Sequence, residues 1–268
     1  MTNRTKGIAA ILASAFGFAL MGLFVALSDY EGRFGGAISP FQKSFFRNLV
    51  AVFVAGGILF RNRKRVSMRI PEGEWKILLL RCSAGAAGIF GNFYALSHIP
   101  LGDGMMLNKL SPFWTVFFAW MFLHEKMSWK SAFALAGAFT GAMFIVKPSF
   151  ATTDLFARAS GFFGGLCAGA AYVCVRHLGI KGVHGSVIVF AFSLFSTLSA
   201  VPFMIVDFDP MTPLQVLILC AAGASATIGQ FGITAAYKFA PPREIAALAS
   251  KPRIHLHASP SVSCVSLC

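Results

Sequence analysis

The chain has 268 residues, of which 56% are hydrophobic and only 12% are charged. Together with a mean hydropathy of +0.70, this composition excludes an ordinary soluble domain and a disordered chain. The net charge of +13 does not indicate nucleic-acid binding, because the chain has no basic stripe with interleaved aromatic residues.

Apolar segments of about the length that crosses a bilayer dominate the sequence. A helix rising ~1.5 Å per residue needs ~20 residues to cross a ~30 Å hydrocarbon core. Continuous apolarity, without the alternation of a barrel strand, favours helices that satisfy their own backbone hydrogen bonds. The sequence therefore predicts an all-α polytopic membrane protein. Eight spans are predicted, at residues 7–28, 40–60, 75–96, 103–123, 131–146, 161–178, 186–206 and 213–239.

The first span could instead be a secretory signal peptide, since Ala26, Leu27 and Ser28 resemble a cleavage site. The apolar run is longer than the core of a typical signal peptide, and further spans follow it. We therefore interpret it as the first membrane helix.

Lysine and arginine concentrate in alternate loops, and cytoplasmic loops retain an excess of these residues. The predicted topology is a multi-pass protein of the cell inner (plasma) membrane, with a cytoplasmic N-terminus and a cytoplasmic C-terminus. The basic residues on the predicted cytoplasmic side are Arg4, Lys6, Arg61, Arg63, Lys64, Arg65, Arg69, Lys76, Lys126, Lys130, Arg176 and Lys181. The opposite side has Arg33, Lys147 and Arg158 with Asp29, Glu31, Asp103, Asp154, Asp207 and Asp209.

Ionisable residues inside a span are candidates for function, because burying charge in lipid is costly. Arg47 and Lys109 each lie ~7 residues, hence ~10 Å, inside the predicted outer end of a span. Both could face one cavity, or their long side chains could extend to the membrane interface. For Arg81, near the cytoplasmic end of its span, extension to the interface is the expectation.

Uncharged polar and aromatic residues complete the set of candidates for a substrate cavity. Asn92 and Gln230 could bind a solute or a neighbouring helix, and helix packing is the simpler reading. Trp114 could stack on a planar ligand or serve in packing. Pro112 and Pro202 could mark a discontinuous helix that lines a cavity, although single prolines are common in membrane helices.

A weak internal repeat relates the third span to the eighth. Gly85, Gly91, Asn92 and Phe93 match Gly223, Gly229, Gln230 and Phe231 at one constant offset. The first half then contains five helices, and an odd number of helices per half requires that the halves be inverted in the membrane.

Several stretches, in this order and spacing, resemble the EamA-type drug/metabolite transporter superfamily. The resemblance covers residues 7–249 and implies two inverted five-helix repeats around a central cavity for small organic solutes. It places the first repeat at 7–148 and an incomplete second repeat of three helices at 161–249. The stretches that carry it are 39–41, 45–48, 94–100, 107–112, Glu125 and 236–241.

Beyond Ala249 the sequence becomes polar and rich in serine, where the family continues into two more helices. We expect residues 250–268 to be an aberrant tail produced by a frameshift or premature termination. His255, His257, Cys264 and Cys268 lie in this tail, and we expect no metal site there.

No catalytic constellation is present, and no enzyme activity, cofactor or metal is expected. The prediction is a secondary transporter of small organic solutes that works by alternating access, with anionic or zwitterionic metabolites favoured. The expected partners are the solute and the lipid bilayer; a homodimer is left open. The alternatives are a nonfunctional truncated transporter and, less favoured, a membrane-embedded enzyme.

Overall fold

The computed structural model describes residues 3–28, 38–63, 70–125, 129–146 and 154–241. Every regular element in these ranges is a helix, which confirms the all-α class. The helices are α1 (Asn3–Ser28), α2 (Pro40–Arg61), α3 (Trp75–His98), α4 (Leu101–Asn108), α5 (Ser111–Leu123), α6 (Trp129–Val146), α7 (Leu155–Ile180), α8 (Gly185–Val206) and α9 (Pro213–Phe239).

Helices α7 and α9 begin at side-chain caps. The side chain of Asp154 accepts a hydrogen bond from the backbone N–H of Ala157, which starts α7. Thr212 and Gln215 form a reciprocal capping box, and Pro213 occupies the first turn of α9. These caps satisfy donors that have no partner within the helix.

Three antiparallel helix pairs form the bundle: α1 with α9, α3 with α7, and α2 with α8. We call the end where α2 begins and α8 meets α9 the Ser39 end. The opposite end, where α7 and α9 terminate, is the Arg176 end. The largest buried apolar cluster includes Leu178, Ile188 and Tyr237, and therefore lies toward the Arg176 end.

Two of the helix pairs approach closely at glycines. A Cβ atom at Gly17 of α1 would lie 2.6 Å from the backbone nitrogen of Gly229 in α9. Likewise, a Cβ at Gly164 of α7 would lie 2.9 Å from the backbone nitrogen of Asn92, which follows Gly91 in α3. Any side chain larger than hydrogen would force these backbones apart.

The outer surface of the bundle is apolar, with exposed aromatic side chains such as Phe53, Phe60, Phe144 and Phe156. A soluble protein does not present so much contiguous apolar surface to water. Within the described residues, six helices are long and apolar enough to cross a membrane: α1, α2, α3, α7, α8 and α9.

Three parts of the predicted span map were wrong. The span at 103–123 is interrupted, and its residues form the short helix α4 and the separate helix α5. Arg158, which was assigned to a loop, lies in the first turns of α7 because Asp154 starts that helix earlier than predicted. Asp103, expected at the outer surface, is buried in the first turn of α4.

Several of the residues that carry the predictions lie outside the described ranges. They include Arg33, residues 64–69, Lys126, Lys147 and the polar tail at 250–268. The predicted orientation and the character of the tail therefore stay predictions.

The contact between Gly17 and Gly229 can be tested with one methyl group. Gly17→Ala should lower the free energy of unfolding by about 1–3 kcal/mol, because the new Cβ overlaps the backbone of α9. Reversible unfolding in mixed micelles would measure the change. Gly57→Ala in α2 is the matched control, since no atom lies within 4 Å of its Cβ position. Equal stability of the two variants would show that the close approach is not required.

Candidate functional site

The interruption between α4 and α5 lies inside a predicted membrane span. Leu110 donates a backbone hydrogen bond to the carbonyl of Leu107, and Phe113 donates one to Leu110, so the chain turns tightly here. Pro112 stands in the first turn of α5, where its missing N–H costs nothing. The half-buried Lys109 lies at this turn, next to the carboxyl end of α4, where the helix dipole favours a cation.

The break packs directly on α7. A Cβ at Gly165 would lie 2.8 Å from the carbonyl oxygen of Leu107, and one at Gly169 would overlap the side chain of Trp114. Broken helices occur at membrane depth only where protein or a cavity surrounds them. The contact with α7 meets this condition on one side of the break.

Asn92 and Trp114 also contact α7. The ring of Trp114 lies edge-on to Phe162 of α7, with the two centroids 5.6 Å apart. Among the described residues, the buried Oδ1 of Asn92 and the buried Nε1 of Trp114 have no hydrogen-bond partner. Both atoms therefore lack the partner that buried polar groups usually have. Asn92 and Trp114 thus both contact α7, and Lys109 lies in the turn that packs on it.

Arg47 and Gln230 lie near Phe18 of α1. The Arg47 guanidinium lies over the Phe18 ring, 5.8 Å from its centroid. The same ring covers Gly229, the neighbour of Gln230 in α9. Gln230 is buried, with 5% of its surface exposed. The five candidates therefore form two groups.

Arg81 differs most from its sequence-based expectation. It does not reach the membrane interface, since only 2% of its surface is exposed. Its guanidinium lies over the ring of Phe192 in α8, 4.0 Å from the centroid. The signal that could have revealed this is Gly85, one helical turn further along α3. A Cβ at that position would overlap Nη1 of Arg81.

Polar contacts join the helices at the Ser39 end. The backbone N–H of Ser39 donates to Asp209 Oδ2 at 2.7 Å, and its hydroxyl donates to Asp207 Oδ2 at the same distance. Gln42 donates to the carbonyl of Asp209 and accepts from its N–H. These bonds hold the start of α2 against the α8–α9 connection.

Ion pairs join the helices at the Arg176 end. Arg176 Nε lies 3.0 Å from Glu125 Oε1, and its Nη1 donates to the carbonyls of Tyr237 and Lys238 at the end of α9. This one side chain links α7, the end of α9 and Glu125, which lies two residues after α5. A second contact at this end joins His177 to Glu74 at 2.9 Å.

An all-helical bundle with an apolar perimeter, a broken helix and polar groups in its interior defines a polytopic membrane protein of the transporter type. The EamA-like transporter family model matches residues 5–147, so the chain belongs to that family. Its homologues are named as transporters, and it is a multi-pass membrane transporter of small solutes. The predicted family resemblance is confirmed.

Two relatives and one solved structure illustrate the similarity. The pseudopaline exporter CntI of Pseudomonas aeruginosa is 29% identical over 234 residues, which cover 87% of this chain and 78% of the exporter. Solute carrier family 35 member G1 of Mus musculus is 30% identical over 144 residues, covering 54% of this chain and 37% of that protein. A crystal structure with 16% identity has the same fold, with a TM-score of 0.73, and the match covers 96% of this chain and 93% of that one.

The Arg176 contacts generate a stability prediction. Arg176→Gln should lower the free energy of unfolding by about 1.5–3 kcal/mol, because it leaves Glu125 and two helix-end carbonyls without their cation. Thermal unfolding in detergent would reveal the loss. Lys181→Gln is the matched control: its ammonium is half exposed and 3.9 Å from Glu74, and such surface pairs contribute little. A loss of the same size in the control would contradict this reading.

Proposed function

We propose that this protein is a secondary transporter that carries small organic solutes across the cytoplasmic membrane by alternating access. In this proposal Arg47, Asn92, Lys109, Trp114 and Gln230 line the substrate cavity. The observation that carries it is the broken α4–α5 segment, which brings a cation, Lys109, to a helix interruption within the bundle. Interrupted helices are the usual place where transporters bind their solutes.

The proposal treats residues 7–148 and 161–249 as two inverted repeats. Its support is the recurrence of one contact: α1 meets α9 at Gly17 and Gly229, and α7 meets α3 at Gly164 and Gly91. Gly91 and Gly229 are the glycines that the sequence repeat aligns, and each precedes a polar amide, Asn92 or Gln230. Two related halves can exchange conformations, which is the basis of rocking-type transport.

The contacts at the two ends of the bundle suit such an exchange. Hydrogen bonds between the start of α2 and Asp209 close the Ser39 end, and the Arg176 ion pair closes the other. Polar contacts of this kind can break and be replaced by water when one end opens.

The favoured solutes have a carboxylate or another anionic group, and they include zwitterions. In support, Arg47, Arg81 and Lys109 place positive charge within the bundle. Among the described helices, acids are confined to terminal turns and loops, where the most deeply buried one is Asp103 in the first turn of α4. A lipophilic cation would lack a compensating charge in the low-dielectric interior.

This charge preference can be tested at the two cations that the sequence singles out. In vesicles containing the purified protein, Arg47→Gln and Lys109→Gln should each weaken binding of a transported anionic solute by about 1.5–3 kcal/mol if they contact it directly. Lys76→Gln should leave binding unchanged, since this exposed ammonium lies over the Trp75 ring at the start of α3. Unchanged affinity in both interior variants, or transport confined to cations, would disprove the preference.

The orientation is proposed from the basic-residue bias and places the Arg176 end in the cytoplasm. Two exposed loop positions can test this orientation: Glu72 at the Arg176 end and Pro210 at the Ser39 end. In intact cells, a membrane-impermeant maleimide should label Cys introduced by Pro210→Cys and leave that of Glu72→Cys unlabelled. Labelling of both in permeabilised cells provides the control. The reverse pattern in intact cells would invert the topology.

Transport assays in vesicles that contain the purified protein distinguish this proposal from two alternatives. A nonfunctional product would insert into the membrane without carrying any solute. A membrane-embedded enzyme would convert a substrate without moving it. The names of the relatives favour transport.

A further inference from the structure

Arg81 is the charged side chain that the proposed cavity does not yet use. It lies two turns inside α3 from the Arg176 end, and its guanidinium extends over Gly85, close to the midpoint of the helix. A long basic side chain that avoids the membrane interior points the other way, toward the nearer interface. The direction of Arg81 therefore requires an explanation other than solvation by headgroups.

One face of the guanidinium is covered by an aromatic ring. The Phe192 ring of α8 lies 4.0 Å from the guanidinium carbon, which is the geometry of a cation–π contact. Gly85 leaves the space that both groups occupy, since a Cβ there would overlap Nη1 and lie 2.6 Å from the Phe192 ring. The remaining electrostatic neighbours are the thiols of Cys82 and Cys174 and the phenol of Tyr172, and none of them is a carboxylate.

No acid compensates this charge among the described residues. The buried Nε of Arg81 has no hydrogen-bond partner there. The described carboxylates lie elsewhere: Glu74 contacts His177, Glu125 contacts Arg176, Asp154 caps α7, and Asp207 and Asp209 contact Ser39. Glu72 lies in an exposed connection and Asp103 in α4, and neither forms an ion pair with Arg81. The cation–π contact alone is weak compensation for a desolvated cation.

The same stretch of α8 has two hydroxyl groups. Ser193 follows Phe192, and Ser196 lies one turn further along the helix, near its midpoint. Both are fully buried, and within the described ranges neither hydroxyl has a hydrogen-bond partner. Buried polar groups without partners are uncommon in folded proteins, so both hydroxyls are available to a polar partner.

We infer that Arg81 binds the carboxylate of the transported solute at the middle of the membrane. This inference rests on the proposed transport function and names the group that recognises its solute. With one face on Phe192, the guanidinium retains an N–H edge that suits the two oxygens of a carboxylate. Ser193 and Ser196 are the α8 donors closest in sequence to that stack. Arg47 and Lys109 then attract the anion toward Arg81 from the Ser39 end.

The test compares wild-type protein with Arg81→Gln, both as the full 268-residue chain in lipid nanodiscs. The probes are succinate, aspartate, citrate and benzoate, with succinamide and benzamide as neutral counterparts and inorganic phosphate as a different anion. At least one carboxylate should raise the wild-type melting temperature, and its amide should not. Arg81→Gln should weaken the dissociation constant of that carboxylate at least tenfold. Stronger stabilisation by phosphate than by every carboxylate would overturn the assignment of the group.

Unliganded stability separates a ligand site from a structural role. Arg81→Gln without ligand should melt at the wild-type temperature or above, because it removes a buried charge that lacks a counter-ion. A lower melting temperature, or failure to fold, would make the charge structural and overturn the inference. Arg63→Gln is the matched control, since Arg63 lies over the Phe60 ring in a similar pair but is exposed at the end of α2. It should leave carboxylate affinity unchanged.

A conservative variant, Arg81→Lys, and transport assays provide two further measurements. Lysine keeps the charge without the planar edge, so affinity should fall between those of wild type and Arg81→Gln. If the wild type and Arg81→Gln carry a neutral or cationic solute equally well, the transport proposal is supported and the Arg81 inference fails. If carboxylates bind through Arg81 but no solute crosses the membrane, the transport proposal fails instead. No binding by any carboxylate overturns the inference.

Discussion

Close backbone approach at glycine is the constraint on which this bundle depends. In lipid the hydrophobic effect does not draw helices together, so van der Waals contact and small residues must do so. The contacts of Gly17 with Gly229 and of Gly164 with the Gly91–Asn92 backbone bring α1 to α9 and α7 to α3. Because these contacts lie near the centre of the bundle, the polar amides beside them, Asn92 and Gln230, are carried into its interior.

Glycine also makes room for the charged and aromatic groups of the interior. Gly165 and Gly169 of α7 admit the broken segment between α4 and α5 together with Trp114, and Gly85 of α3 admits the Arg81–Phe192 stack. The same residue type that allows helices to pack thus creates positions where long side chains extend along a helix. The same glycines therefore determine the packing of the helices and the position of the polar interior groups, so a substitution at one glycine affects both.

The two ends of the bundle differ in chemistry. Neutral donors and the carboxylates of Asp207 and Asp209 form the contacts at the Ser39 end, whereas Arg176 with Glu125 and His177 with Glu74 form those at the other. The larger apolar cluster beneath the Arg176 end adds a second layer of contact there. To open the Arg176 end, the polar contacts and the apolar packing beneath them would have to separate together. The Ser39 end would therefore open more easily than the Arg176 end.

The sequence by itself determined the all-helical class, the family and most bounds of the long helices to within a few residues, because continuous apolarity over bilayer length is a property of the chain alone. It missed the earlier start of α7 at Asp154. It placed Lys109 and Pro112 in one span and left open that Pro112 marks a discontinuous helix. The sequence could not decide this, since helix breaks depend on what surrounds them, here Gly165 of α7. It also predicted that Arg81 would extend to the interface. Only the tertiary structure decided that point, because the direction of a long side chain depends on the space left by Gly85 and on a ring, Phe192, that lies more than a hundred residues away in sequence.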